Sequence, residues 1–98
     1  MVACYNVSMT QWKWYVYVIE CNDGLYYTGM TWNIQDRFWQ HSAGLGCRFT
    51  ARHGVKALRY VEEHSDFASA RRREHQIKDY SRKKKQALWE GILTTFEQ

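Results

Sequence analysis

Two stretches of the chain, residues 14–20 (WYVYVIE) and 25–31 (LYYTGMT), crowd aromatic and β-branched side chains together, and Asn22, Asp23 and Gly24 separate them. Such runs around an Asn-Asp-Gly loop predict a β-hairpin. Loop length sets what the strands present. With a three-residue loop Cys21 faces Leu25 and Ile19 faces Tyr27, so Tyr15, Tyr17, Tyr27 and Gly29 share one side. A two-residue loop at Asp23 and Gly24 slips the register by one and sends Tyr17 and Tyr27 to opposite sides. Glycine in the third loop position favours the first alternative.

Downstream the period changes. Asn33 is a good helix N-cap, with Asp36 three residues on, and predicts a helix over residues 34–42. The Ala43-Gly44-Leu45-Gly46 stretch ends it. A polar, basic connection through Arg48, Thr50, Arg52 and His53 leads to a third strand near residues 57–63 (ALRYVEE). Ser65 or Asp66 caps a helix reaching about Tyr80, and Ser81 caps another from Arg82 to about Leu93. The order β-β-α-β-α-α predicts an α+β fold, a three-stranded, largely antiparallel sheet flanked by helices. Residues 14–90 form the domain, with 1–13 as a lead-in and 91–98 as a tail.

Composition narrows the class. Hydrophobic residues make up 45% of the 98, enough for one packed core. No run of 18 apolar residues suggests a membrane span, and the first ten residues lack a secretory leader pattern. Cys4, Cys21 and Cys47 are odd in number and widely spaced, which suits free thiols in a reducing cytoplasm. The formal net charge of +4 is concentrated. Arg71, Arg72, Arg73, Lys78, Arg82, Lys83, Lys84 and Lys85 are opposed in their segment only by Glu74 and Asp79. A basic segment on a near-neutral body suits a phosphate backbone, although a solvated, solubilising helix face has the same composition.

A few residues sit where packing does not explain them. Phe67, Ala70, Glu74 and Ile77 share one helix face, and the carboxylate among them needs a cation or an arginine such as Arg71. Arg37 and His41 stand one turn apart on a surface that partly faces the core. Arginine offers a planar fork to phosphate oxygens and histidine exchanges protons near neutral pH. Helix arginines are commonly solvated, however, and lone histidines structural. Tyrosines in strands are mostly packing residues, but a cation nearby would make a phenol a useful proton acceptor.

In this order, these residues resemble the GIY-YIG (URI-domain) nuclease family, and its small stand-alone bacterial members most. Tyr15-Val16-Tyr17 looks like the GIY element and Tyr27-Thr28-Gly29 like the YIG element. The segment 33–37 followed by His41 is similar to the family's arginine-bearing helix. Gly44-Leu45-Gly46, Phe49-Thr50 and Arg52 resemble the loop of the stand-alone members, and Arg73-Glu74 with Ile77-Lys78 the segment that carries the metal-binding glutamate. Tyr15 replaces the first glycine of the pattern and Thr28 its second isoleucine.

The resemblance implies a Mg²⁺-dependent (or Mn²⁺-dependent) endonuclease acting on DNA, of the kind that handles branched structures in repair or recombination. It implies that Glu74 holds the metal, Arg37 stabilises the charged transition state, Tyr17 activates water, and Tyr27 and His41 position water and phosphate. DNA would lie on Arg48, Arg52, Arg71, Arg72, Lys78, Arg82, Lys83 and Lys84, with no small-molecule cofactor. Two other readings stand beside it. One is a non-catalytic nucleic-acid-binding module of the same fold. The other is a scaffold that meets a protein partner through Trp32, Trp39 or Trp89.

Overall fold

A computed structural model describes residues 13–90. The lead-in, the tail and Cys4 therefore lie outside the described residues, apart from Lys13. In chain order the elements are β1 (Trp14–Cys21), β2 (Tyr26–Thr31), α1 (Ile34–Ser42), α2 (Arg48–His53), β3 (Val55–His64), α3 (Phe67–Lys78) and α4 (Arg82–Trp89). The sheet is antiparallel throughout, in the order β2-β1-β3.

The hairpin has the three-residue loop. Ile19 pairs with Tyr27 and Tyr17 with Gly29. The Cys21 amide donates to the Leu25 carbonyl at 2.8 Å, and Gly24 takes φ +89°. Tyr17 and Tyr27 thus share a face, as that register requires.

β1 is the central strand and is covered on both sides, which is why it reads as a nearly continuous apolar run. Val16 and Val18 meet Ala70 and Ile77 of α3 and Leu88 of α4. Tyr17, Ile19 and Cys21 face the other way, against Ile34 and Phe38 of α1 and Phe49 of α2. Burying side chains of the size of Ile77 or Leu88 contributes roughly 1.5–3 kcal/mol each. The fold is thus helices on both faces of one short sheet, with β2 left as an edge.

Caps follow the expected residues. Asn33 Oδ1 accepts from the Asp36 amide at 3.1 Å, Asp66 from the Ser69 amide at 2.7 Å, and the Ser81 hydroxyl from the Lys84 amide at 3.1 Å. Several expectations are corrected. The basic connection contains α2, whose inward side is secured by Phe49 against the Tyr27 ring (5.8 Å between centroids) and by His53 on Asp23 (2.5 Å). The third strand begins at Val55. The last helix ends at Trp89, with Glu90 as its C-cap, rather than near Leu93. Phe67 is half exposed and stands edge-on to Trp14, outside the buried face that Ala70, Glu74 and Ile77 share. Of the three tryptophans expected at the surface, Trp32 and Trp39 are exposed, but Trp89 packs edge-on against Tyr26 at 5.2 Å. Among the described residues no helix is long and apolar enough to cross a membrane.

Candidate active site

Gly29 decides where the Tyr17 phenol goes. A β-carbon at residue 29 would stand 2.5 Å from the Tyr17 hydroxyl oxygen and 2.7 Å from the ring carbon that carries it. The phenol therefore lies flat across the β2 backbone, in the space that a side chain would fill. β2 is an edge strand, so the phenol crosses the outer strand of the sheet.

Several groups bear on that hydroxyl. Nε2 of His41 lies 2.8 Å away, and His41 is buried to 1% exposure. The Arg37 guanidinium lies beside it, and its Nη1 also donates to Gln40 Oε1 at 2.9 Å. The Tyr27 ring stands 6.3 Å off, centroid to centroid. The Glu74 carboxylate, from the opposite layer of helices, is close enough for its charge to register on the phenol. Burial raises the Tyr17 pKa above that of an ordinary phenol, and Arg37 only partly opposes this by hydrogen bonding and charge. Tyr17 is thus a neutral phenol at rest.

One donor order satisfies this cluster. Arginine has no acceptor, so the Tyr17 oxygen accepts from Arg37, and in this order it donates its own proton to Nε2 of His41. Burial, with the charge of Arg37, lowers the His41 pKa to about 4, so the ring is neutral, and in this order its single proton sits on Nδ1. That proton is donated to Oγ1 of Thr50 at 2.7 Å, and the Thr50 hydroxyl in turn faces Sγ of Cys47 at 3.5 Å. Cys47 is the N-cap of α2. Burial disfavours its thiolate. Hydrogen bonds from Thr50, from the Tyr27 hydroxyl and from the Phe49 amide outweigh that burial and lower its pKa. Burial comes first, and with Tyr17 and Cys47 close by it drives the Tyr27 pKa far above normal. The Tyr27 proton is held by the sulfur.

Glu74 is 9% exposed, and its carboxylate meets Lys78 at 3.3 Å and His75 at 3.9 Å, not Arg71. Both partners are exposed side chains, free to swing away. Among the described residues no group of three or more His, Cys, Asp or Glu side chains could hold a metal. Mg²⁺ keeps most of its waters and takes one or two carboxylates plus phosphate oxygens, so a lone carboxylate such as Glu74 has the chemistry to hold one.

The basic positions fall on both layers. Arg48 and Arg52 are exposed on α2. On the other layer Arg71 and Arg72 of α3 and Lys83 of α4 are exposed, while Arg73 turns inward to Glu62 with its Nε at 3.0 Å. Lys78 pairs with Glu74, Lys84 lies over the Tyr80 ring at 4.3 Å, and Arg82 lies over the Tyr26 ring at 4.7 Å and donates to the Gly24 carbonyl. Of the positions expected to bind nucleic acid, these last three already have partners within the fold.

Sequence reasoning missed Thr50, Gln40 and Cys47 as parts of this cluster. Thr50 carried a signal only in hindsight: a hydroxyl flanked by Phe49 and by His53 on the segment after the glycines. Gln40 lies one turn from Arg37, a spacing at which side chains meet.

Most of the described chain is similar to known proteins. The profile of the GIY-YIG catalytic domain matches residues 13–87. A UPF0213 protein of Halobacterium salinarum is 45% identical over 75 residues, covering 76% of this chain and 97% of its own. A UPF0213 protein of Staphylococcus haemolyticus is 41% identical over 73 residues, covering 74% and 89%. The solution structure of a UPF0213 protein from Bacillus halodurans superposes with a TM-score of 0.50 at 36% identity, covering 78% of this chain and 81% of that one.

Proposed function

The chain belongs to the GIY-YIG catalytic-domain family, and from that membership we propose that it is a Mg²⁺- or Mn²⁺-dependent endonuclease that hydrolyses phosphodiester bonds in DNA. The observation that carries the reading is the Tyr17 hydroxyl, on which Arg37, His41 and the charge of Glu74 all bear.

In this reading Tyr17 acts as a relay. Its raised pKa makes a free phenolate too costly to serve as a resting base. Its oxygen takes a proton from the attacking water while its own proton passes to Nε2 of His41, so no isolated phenolate forms. Thr50 holds Nδ1 so that Nε2 remains the acceptor. His41 is a weak base at rest, and an incoming phosphate would strengthen it by placing negative charge beside the ring. Arg37 offers its remaining N–H groups to the phosphate oxygens, where charge grows in the transition state. Glu74 would hold the metal, which when bound neutralises phosphate charge and supplies an acidified, oriented water.

The deciding experiment incubates labelled single-stranded, duplex, flap and junction DNA with the protein and Mg²⁺, beside Glu74→Ala. We expect cleavage by the wild type only, with salt-sensitive binding kept by both. Full cleavage by Glu74→Ala would overturn the metal assignment. Binding without cleavage of any substrate in Mg²⁺ or Mn²⁺ would favour the non-catalytic module.

A further inference from the structure

Lys85 does not behave like the other lysines of its run. Lys83 and Lys84 are exposed, but Lys85 is 9% exposed on the inner side of α4, one turn before Leu88. Its ammonium has no hydrogen-bonding or ion-pairing partner among the described residues. The charge that registers on it is a second cation, Lys78, and burial together with that repulsion lowers its pKa. A largely buried ammonium without a partner loses part of its hydration, and that loss is kept only where something compensates.

A small cavity of about 180 Å³ opens at that side chain, lined by Leu25, Tyr26, Tyr80, Arg82 and Lys85. Two of the five are cations and none is acidic. Glu20, the carboxylate whose pKa Arg82 helps to lower, is already held by Arg59 at 2.7 Å and Lys56 at 3.7 Å. Arg82 spends one N–H on the Gly24 carbonyl and keeps the rest of its fork. The Tyr26 hydroxyl accepts from Gln86 at 2.9 Å and the Tyr80 hydroxyl from Arg73 at 3.1 Å, which leaves each an O–H to donate. The volume is below the roughly 300 Å³ at which pockets for drug-sized ligands begin, so it suits a compact anion rather than a base with its sugar.

We propose that this cavity, between the hairpin loop and the first turn of α4, is a subsite for a phosphate group of the nucleic-acid backbone flanking the cleavage point. It rests on the nucleic-acid reading above. Lys78 ties the two places together, because it pairs with Glu74 at 3.3 Å and its charge reaches Lys85. The proposal requires that a strand with one phosphate at Glu74 bring another within reach of the cavity. A phosphate there gives Lys85 its missing counter-ion.

Three measurements on the whole chain test this, all in EDTA so that cleavage plays no part. In phosphate-free buffer Lys85→Met should melt above the wild type, since an unpaired charge leaves the interior. Inorganic phosphate should raise the melting temperature of the wild type and of Lys85→Arg, and leave Lys85→Met unmoved. The slope of log K for duplex binding against log salt should shrink by about 0.9 in Lys85→Met, the share of one phosphate. Arg82→Met removes the other cation of the cavity and should also weaken the phosphate response. A phosphate response kept by Lys85→Met, or an unchanged salt slope, overturns the proposal. Loss of the phosphate response with the slope intact would assign the cavity to a free phosphate and overturn the backbone subsite. A protein that cuts DNA with an unchanged slope sinks the subsite alone. One that shows the slope change yet never cuts sinks the nuclease reading alone.

Discussion

The Tyr17 hydroxyl and Nε2 of His41 lie 2.8 Å apart, one from the central strand and one from the first helix, and both side chains are buried. If the phenol relays a proton, the hydroxyl and not the ring is what matters. Tyr17→Phe keeps the ring over Gly29 and removes the relay. We expect the cleavage rate to fall by roughly 10²-fold or more, with DNA affinity in EDTA unchanged. Single-turnover cleavage beside anisotropy binding reads both. A Tyr17→Phe protein that cuts at the wild-type rate removes Tyr17 from the chemistry.

Gly29 holds that geometry by having no side chain. Gly29→Ala places a methyl group 2.5 Å from the Tyr17 hydroxyl, and the phenol must leave the β2 edge. Overpacking of this kind costs about 1–3 kcal/mol. The expected outcome is a lower denaturant midpoint together with lost cleavage, while the exposed Arg48, Arg71, Arg72 and Lys83 still bind DNA at low salt. Unchanged stability and unchanged cleavage would mean that the phenol does not need this berth.

Much of this arrangement was legible in the chain because strands repeat every two residues. Once Gly24 closes a three-residue loop, Tyr17 and Tyr27 fall on one face with no further information. The burial of Glu74 was legible in the same way, from the helical spacing of Ala70, Glu74 and Ile77. What stayed hidden depends on how elements dock. The helix α2 has six residues and no apolar stripe, so nothing in its period announces it. Its anchors, Phe49 on Tyr27 and His53 on Asp23, are tertiary. Arg71, Arg72 and Arg73 look alike in sequence, and only the position of Glu62 on β3 turns the third one inward. Lys85 did carry a readable sign, since it precedes Leu88 by three residues on the same helical face.

Thr50 separates tautomer control from mere packing. Thr50→Val keeps the shape and removes the acceptor for the Nδ1 proton of His41. With no partner at Nδ1, the imidazole proton is free to move to Nε2, where it opposes the Tyr17 proton. Nitrogen-15 spectra of the imidazole should show Nδ1 protonated in the wild type and in Thr50→Ser, and a mixed or Nε2-protonated ring in Thr50→Val. Cleavage should fall in Thr50→Val through the rate constant rather than the Michaelis constant, and return in Thr50→Ser. The same tautomer in all three proteins would reduce Thr50 to a packing residue.

His41 also links folding to acidity, and the sign is fixed by the direction of its shift. Burial comes first, and the charge of Arg37 adds to it, lowering the folded pKa to about 4 from an ordinary 6.5. The other titratable groups facing the ring, Tyr17, Tyr27 and Cys47, carry no positive charge to assist. Above pH 6.5 the ring is neutral in both states and favours neither. Between 6.5 and 4 the unfolded chain binds a proton that the folded chain refuses, so stability falls as pH falls. The loss reaches about 3 kcal/mol near pH 4, below which the folded ring protonates too and the slope flattens. Carboxylates with lowered pKa values, such as Glu62 and Asp23, add to acid sensitivity, so the comparison must be with His41→Gln, which keeps them. Denaturant midpoints of the two proteins across pH 4 to 7.5 should converge as pH falls, with His41→Gln losing less. Parallel curves through that window would show that His41 is not held neutral, and the donor order running from Arg37 to Cys47 would have to be reversed.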